Sequence, residues 1–180
     1  DSIVLAFAGA FTGTEFNKGH ANIAGDHVAT GKRYKGYRCK RNTGAFTWSA
    51  SAGPCFHYQN YSSALDKAVS EGGMAFAQEM MIHGGRSVKT TRPLGNRNVF
   101  RALCLDHDGN LALYESQGMV TFGNFIKALL SQGVKEALYT DMGQGWNFCF
   151  YRLNANGSSP QYLHDKPLPY ASNFVILKIK

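Results

Sequence analysis

An α+β fold with a mixed, largely antiparallel β-sheet and two main helices is what this sequence predicts, and three observations carry the prediction. Short strand-like runs separated by turn signals recur along the chain. Only two segments show the three- and four-residue apolar spacing of a helix. The elements follow no regular βαβ alternation and contain no repeat, which argues against a parallel α/β sheet or a solenoid. With 180 residues, and domains commonly holding about 100 to 150, a single domain over residues 1–180 is expected. Hydrophobic residues make up 44% and charged residues 17%, below the roughly 25% charge of average chains, so a disordered polypeptide is excluded.

Residues 3–11 read as a buried strand, or two short ones, running into a Gly-rich turn. Nine residues are far short of the roughly 20 that cross a bilayer, so no transmembrane span is expected there. Residues 12–31 are polar, with four glycines, and read as loop. Residues 34–48 carry aromatics and threonines around Asn42-Thr43-Gly44, as strands joined at a turn would. Ser62 or Ser63 is placed to cap a helix with Ala64, Leu65, Ala68 and Val69 on one face, stopped by Gly72-Gly73.

Residues 74–83 form an apolar run interrupted by Gln78 and Glu79, followed by a Gly-Gly turn and a basic polar loop to residue 98. Residues 100–105 and 111–115 are strand-like and flank Asp106-His107-Asp108-Gly109-Asn110, the strongest hairpin signal in the chain. A calcium loop is not supported there: the glycine comes two positions too early and flanking helices are missing. Thr121 is placed to cap a helix bearing Phe122, Phe125, Ile126, Leu129 and Leu130, with Gly133 where a left-handed C-terminal residue belongs. A strand over 134–140 leads into Asp141-Met142-Gly143-Gln144-Gly145-Trp146, and a last strand over 173–179 ends the order.

The net charge is +7, and six of the 19 Lys and Arg lie within residues 32–41, interleaved with Tyr34 and Tyr37. Three readings fit that segment: a solvated edge strand protected from aggregation, a surface that draws an anionic ligand, or a nucleic-acid contact. The four cysteines are too widely spaced for a Cys-x-x-Cys metal or redox motif. Cys104 and Cys149 sit within apolar runs and read as buried free thiols. The chain starts at Asp1 without Met, as removal of a signal peptide or a trimmed chain would leave it.

Asp141 is the first catalytic candidate, because an Asp directly after a buried strand, leading into Gly-x-Gly, sits where sheet proteins commonly bind ligands. Gly143 and Gly145 would let backbone N–H groups approach an anion or a sugar; the alternative is a plain turn that Asp141 caps. Arg101 at the start of a core strand must be paired or face a cleft, where it would hold an anion. Glu79 within an apolar run poses the same question, a hydrogen-bond network or a site. The six His include no His-Glu-x-x-His, and neither a Gly-x-Ser-x-Gly elbow nor a P-loop is present.

Ala8-Gly9-Ala10-Phe11, the run from Gly73 to Gly84, Arg101-Ala102-Leu103, the stretch from Ala137 through Asp141 to Gly145, and Asn173-Phe174 together resemble the phosphodiester glycosidase family. These are bacterial relatives of the enzyme that uncovers mannose 6-phosphate by removing N-acetylglucosamine. The resemblance implies a secreted, periplasmic or cell-envelope hydrolase that cleaves a sugar 1-phosphodiester; no cofactor is expected and no residue is assigned to a metal. It implies Asp141 as the carboxylate, Glu79 as its partner and Arg101 as the cation that stabilises the phosphate leaving group. Gly9, Gly143, Gly145 and a stacking Trp146 would bind substrate.

Two positions depart from the family pattern. Phe7 stands where the family usually has Asn, and Trp146 where it has a small polar residue. A non-catalytic carbohydrate- or envelope-binding module on the same fold is therefore the competing expectation. The expected partner is a sugar phosphodiester or anionic glycan rather than nucleic acid.

Overall fold

The computed structural model describes residues 2–13, 16–154, 158–166 and 173–179. The first part of the chain forms β1 (Ser2–Ala8), a 3-10 turn (Phe16–Asn22), β2 (His27–Ala29), β3 (Lys32–Tyr34), β4 (Gly44–Ser49), β5 (Gly53–Tyr58), α1 (Ser62–Ser70), β6 (Met74–Gln78) and β7 (Met80–His83). Next come β8 (Arg86–Ser87), β9 (Arg97–Asn98), β10 (Arg101–Leu105), β11 (Leu111–Glu115), β12 (Val120–Thr121) and α2 (Phe122–Ser131). β13 (Glu136–Tyr139), β14 (Cys149–Tyr151), β15 (Gln161–His164) and β16 (Phe174–Ile179) complete the order. This is an α+β fold with two helices, as the sequence predicts.

The expected sheet is divided. β11-β10-β13-β7-β8 and β3-β2-β6-β4-β5 form two five-stranded sheets, β15-β14-β1-β16 a four-stranded one, and β12 pairs with β9. The strand pairs among the described residues are antiparallel; one isolated bridge, Ala24 to Tyr37, is parallel.

Period-two alternation explains the layering. On β10 and β13, Ala102, Cys104, Ala137 and Tyr139 pack with Phe122, Phe125, Ile126 and Leu129 of α2. Leu103 and Leu138 instead join Met80, Phe7, Phe46, Phe76 and Cys149 in a central core shared by all three larger sheets. α1 lays Leu65 and Ala68 on Val28, Ala45 and Ala75 of the second sheet. Each helix thus covers the outer face of one sheet, and burying each large apolar side chain contributes about 1.5–3 kcal/mol.

α2 follows its sequence signals closely. The Thr121 hydroxyl accepts the Asn124 N–H at 3.2 Å, and Gly133 takes φ 75° beyond the last turn. Thr121→Ala is expected to cost about 1 kcal/mol, read as a lower urea midpoint at unchanged slope; an unchanged midpoint refutes the cap. α1 departs from expectation. Its N-cap is Tyr61, which makes no side-chain cap, and Ser62 is already inside the helix, where Arg33 of β3 donates to its hydroxyl at 3.1 Å and its carbonyl at 3.3 Å.

Residues 34–48 do not form a hairpin. β3 pairs with β2, whereas β4 pairs with β5 and β6. β5 carries no burial alternation, since all six of its residues are half-buried, which is why pattern reading passes over it. In the β10–β11 hairpin, Arg101 faces Glu115 and Leu105 faces Leu111. The Asp106 carboxylate accepts the N–H groups of Asp108 and Asn110 at 2.9 and 2.8 Å. These bonds, Asn110 first, hold its pKa below the ordinary value.

Candidate active site

The apolar run over 74–83 is two strands in different sheets, and Glu79 is the residue between them. That crossing builds the site. β13 ends beside it: Tyr139 N–H donates to the Glu79 carbonyl at 2.9 Å, Thr140 N–H to the Arg101 carbonyl at 3.1 Å, and Asp141 N–H to the Gly9 carbonyl at 3.0 Å. The Gly9 carbonyl also accepts from the Gln78 amide at 3.2 Å. A Cβ on Gly9 would stand 3.1 Å from Val175 and 3.5 Å from Phe76, so glycine here permits close packing of β1. Glu79, Arg101, Gly9 and Asp141 therefore converge on one strand end.

Asp141 is 5% exposed. Its Oδ1 accepts the Gly143 N–H at 3.0 Å and its Oδ2 the Thr12 N–H at 3.4 Å. Burial pushes its pKa up to about 6; the two N–H groups and the charges of Arg101 and Arg92 act in the opposite direction. The carboxyl is thus poised near neutrality, as a group that takes up and releases a proton must be.

Arg101 is fully buried, and each of its three guanidinium nitrogens makes a hydrogen bond. Nε donates to Glu115 Oε2 at 2.8 Å, Nη2 to the Asn147 carbonyl at 2.6 Å and Nη1 to the Phe148 carbonyl at 3.5 Å. His164 Nε2 holds the other oxygen of Glu115 at 2.9 Å. Arg101 therefore pins the far end of the loop that begins at Asp141.

Glu79 is also fully buried. Its Oε1 accepts the Thr91 N–H at 2.6 Å, the Thr91 hydroxyl at 2.7 Å and the Arg92 N–H at 2.9 Å. Its Oε2 lies 3.6 Å from Arg92 Nε, and neither of those two atoms has a hydrogen-bond partner. The Arg92 guanidinium stands over the rings of Tyr139 at 4.6 Å, Phe122 at 5.4 Å and Phe100 at 5.9 Å. Burial pushes the Tyr139 hydroxyl up to about 12, so Tyr139 remains neutral beside these charges.

Gly143 is exposed, Gly145 is half-buried with φ 83°, and Trp146 N–H donates to the Gly143 carbonyl at 2.8 Å. A Cβ on Gly143 would stand 3.3 Å from Asp141 Oδ1 and 3.5 Å from the Trp146 ring. Trp146 is thus folded back over the turn. Among the described residues no three His, Cys, Asp or Glu side chains converge as metal ligands. No helix among them is long and apolar enough to cross a membrane.

With this geometry in place, the fold has a known counterpart. The catalytic domain of zebrafish N-acetylglucosamine-1-phosphodiester alpha-N-acetylglucosaminidase, auto-inhibited by pro-peptide, is similar at a TM-score of 0.64 and 17% identity over 99% of this chain. The chain spans 64% of the length of that zebrafish structure. At this identity the likeness establishes the fold. No family model and no curated protein matches the sequence. Because the likeness to the zebrafish domain covers nearly the whole chain, it takes in β1, β10 and β13 around Asp141.

Sequence reasoning assigns no role to Arg92, Thr12 or Asn173. Arg92 lies in a polar loop without periodicity, and only its place just before Pro93 in a basic stretch marks it. Asn173 clamps the turn after β1: its amide accepts from Ala10 N–H at 2.8 Å and donates to the Ala10 carbonyl at 2.9 Å and the Thr12 hydroxyl at 2.7 Å. That clamp sets the Thr12 N–H against Asp141. In the sequence, Asn173 is marked only as the residue that opens the last strand and one of the motifs of the family resemblance.

Proposed function

We propose that this protein is a hydrolase of sugar 1-phosphodiesters, with Asp141 as the carboxylate that acts at the anomeric carbon. The observation that carries the reading is the buried Asp141 carboxyl, titrating at about 6, at the end of a strand between two backbone N–H donors. The fold likeness to the zebrafish glycosidase domain supports it, as does the order of motifs along the chain.

Ionised Asp141 serves as nucleophile or as base for water, while the C1–O bond breaks and its electron pair leaves on the phosphate oxygen. That leaving group already carries charge well, so a nearby cation reduces the need for a strong general acid. Arg92 is assigned this part in preference to Arg101, whose three nitrogens are each bonded to Glu115 or a backbone carbonyl. Glu79 acts through Arg92 and its loop as a positioning residue. Gly143 and Gly145 offer backbone to phosphate or sugar hydroxyls, and Trp146 walls the turn. We assign the activity to cell-envelope or extracellular glycan metabolism on the family resemblance.

The competing module reading has one observation in its favour. Phe7 is wholly buried in the central core, so it contributes no polar group where the family pattern has Asn. Product release from a panel of sugar 1-phosphodiesters, N-acetylglucosamine and mannose among them, separates the readings. The native protein is expected to turn over at least one, with a rate that rises through about pH 6 as Asp141 ionises, and Asp141→Asn to turn it over slower by on the order of 10²–10⁴-fold or more. Absence of turnover by folded native protein on every substrate supports the binding module instead.

A further inference from the structure

We infer that the cavity beside the basic loop binds a second anionic group, a phosphate or carboxylate carried on the alcohol side of the substrate. This rests on the phosphodiesterase reading above. The cavity, about 340 Å³, opens between residues 35–42 and the start of α1, and Lys35, Tyr37, Arg38, Asn42 and Tyr61 contribute to its walls. That volume lies within the roughly 300–1,000 Å³ of small-molecule sites.

Charge balance in the walls points to an anion. Arg33 is more than offset, with Nη2 2.8 Å from Asp26, which also lines the cavity, and Nη1 2.6 Å from Asp66; that group carries −1, and Lys35 and Arg38 add +2, which leaves a net +1. Lys35 and Arg38 line the cavity, are exposed and have no ion-pair partner among the described residues. Asn42 also contributes to the wall, with both its amide atoms shielded from solvent and without a hydrogen-bond partner. Gly25 is matched to this amide, since a Cβ there would overlap Asn42 Nδ2.

The same loop reaches the Asp141 site. Tyr37 N–H donates to the Ile23 carbonyl at 3.0 Å, and Ile23 in turn bridges Thr12. The Arg41 guanidinium lies 6.0 Å from the Phe11 ring centre, one residue from Thr12. A substrate whose anomeric carbon lies at Asp141 would therefore extend its alcohol portion along residues 37–41 into the cavity. This gives the basic segment 32–41 a use that a merely solvated strand would not have.

The test uses inorganic pyrophosphate as probe in calorimetric titration at constant ionic strength. The native protein is expected to bind it saturably, Lys35→Ala/Arg38→Ala to weaken binding tenfold or more, and Lys32→Ala/Lys40→Ala, which removes the same charge outside the cavity, to change it less than twofold. No saturable binding, or equal losses in the two double variants, overturns the cavity site. For a sugar 1-phosphodiester that the protein cleaves, a carboxylate added on the alcohol side is expected to lower KM at least tenfold with kcat unchanged, and Lys35→Ala/Arg38→Ala to erase that gain. Turnover with no such KM difference overturns the substrate assignment on its own. Saturable binding without turnover of any substrate overturns it through failure of the hydrolase reading.

Discussion

Asp141→Asn is expected to stabilise the protein at neutral pH while it slows turnover. The carboxyl of Asp141 has its pKa raised by burial to about 6, so the folded state disfavours its charge relative to the unfolded chain. A raised acid contributes stability fully below its unfolded pKa and loses that contribution as pH rises through the folded pKa. The cost is therefore absent near pH 3, grows between the two pKa values and is complete above about pH 6. A shift of some two pH units corresponds to at most about 3 kcal/mol. Asn carries no charge, so the variant should gain up to that amount at pH 7.5 and nothing near pH 3, in urea unfolding at both. A variant less stable than native at pH 7.5 would show that Asp141 is held by its partners rather than strained by burial. Turnover should fall on the order of 10²–10⁴-fold or more, the usual worth of a positioned acid or base.

Glu79→Ala should have the largest effect on stability, about 3–5 kcal/mol, because it leaves a buried Arg92 without its counter-charge and strips acceptors from Thr91 and Arg92. The double variant Glu79→Leu/Arg92→Met removes both charges and should recover a large part of that loss, as replacement of buried ion pairs by apolar residues often does. The cycle of single and double variants reads the coupling. Losses that simply add would mean that Glu79 supports its loop through the backbone bonds alone, and that the 3.6 Å pair is incidental.

Much of the local architecture is legible in the amino-acid sequence alone. Helix α2 can be bounded at both ends, because Thr121 and Gly133 act on backbone groups within one turn of themselves. The β10–β11 hairpin can be placed because Asp106 and Gly109 shape a turn of five residues. Asp141 stands out because a charged residue directly after an apolar strand is rare enough to need an explanation, and Arg101 and Glu79 do so because buried charge is costly without a partner.

What each charge is paired with was decided only in the tertiary structure. Arg101 meets Glu115 through the cross-strand register of a hairpin, and then two carbonyls from a loop 46 and 47 residues away. Glu79 meets Arg92 because the chain passes from one sheet to another at that residue, a change of sheet that the polar pair Gln78-Glu79 in an apolar run does not by itself reveal. Arg33, which has ion-pair partners, and Lys35 and Arg38, which have none among the described residues, look alike in sequence, and the difference lies in Asp26 and Asp66, which α1 and β2 bring to Arg33 alone. Periodicity and turn chemistry depend on neighbours along the chain, so the sequence by itself determined the elements and the residues whose burial needed explaining. Compensation of a buried charge depends on which distant groups the packed layers bring within hydrogen-bond reach, so the partners, and with them the division between structural and chemically available cations, were determined by the tertiary fold.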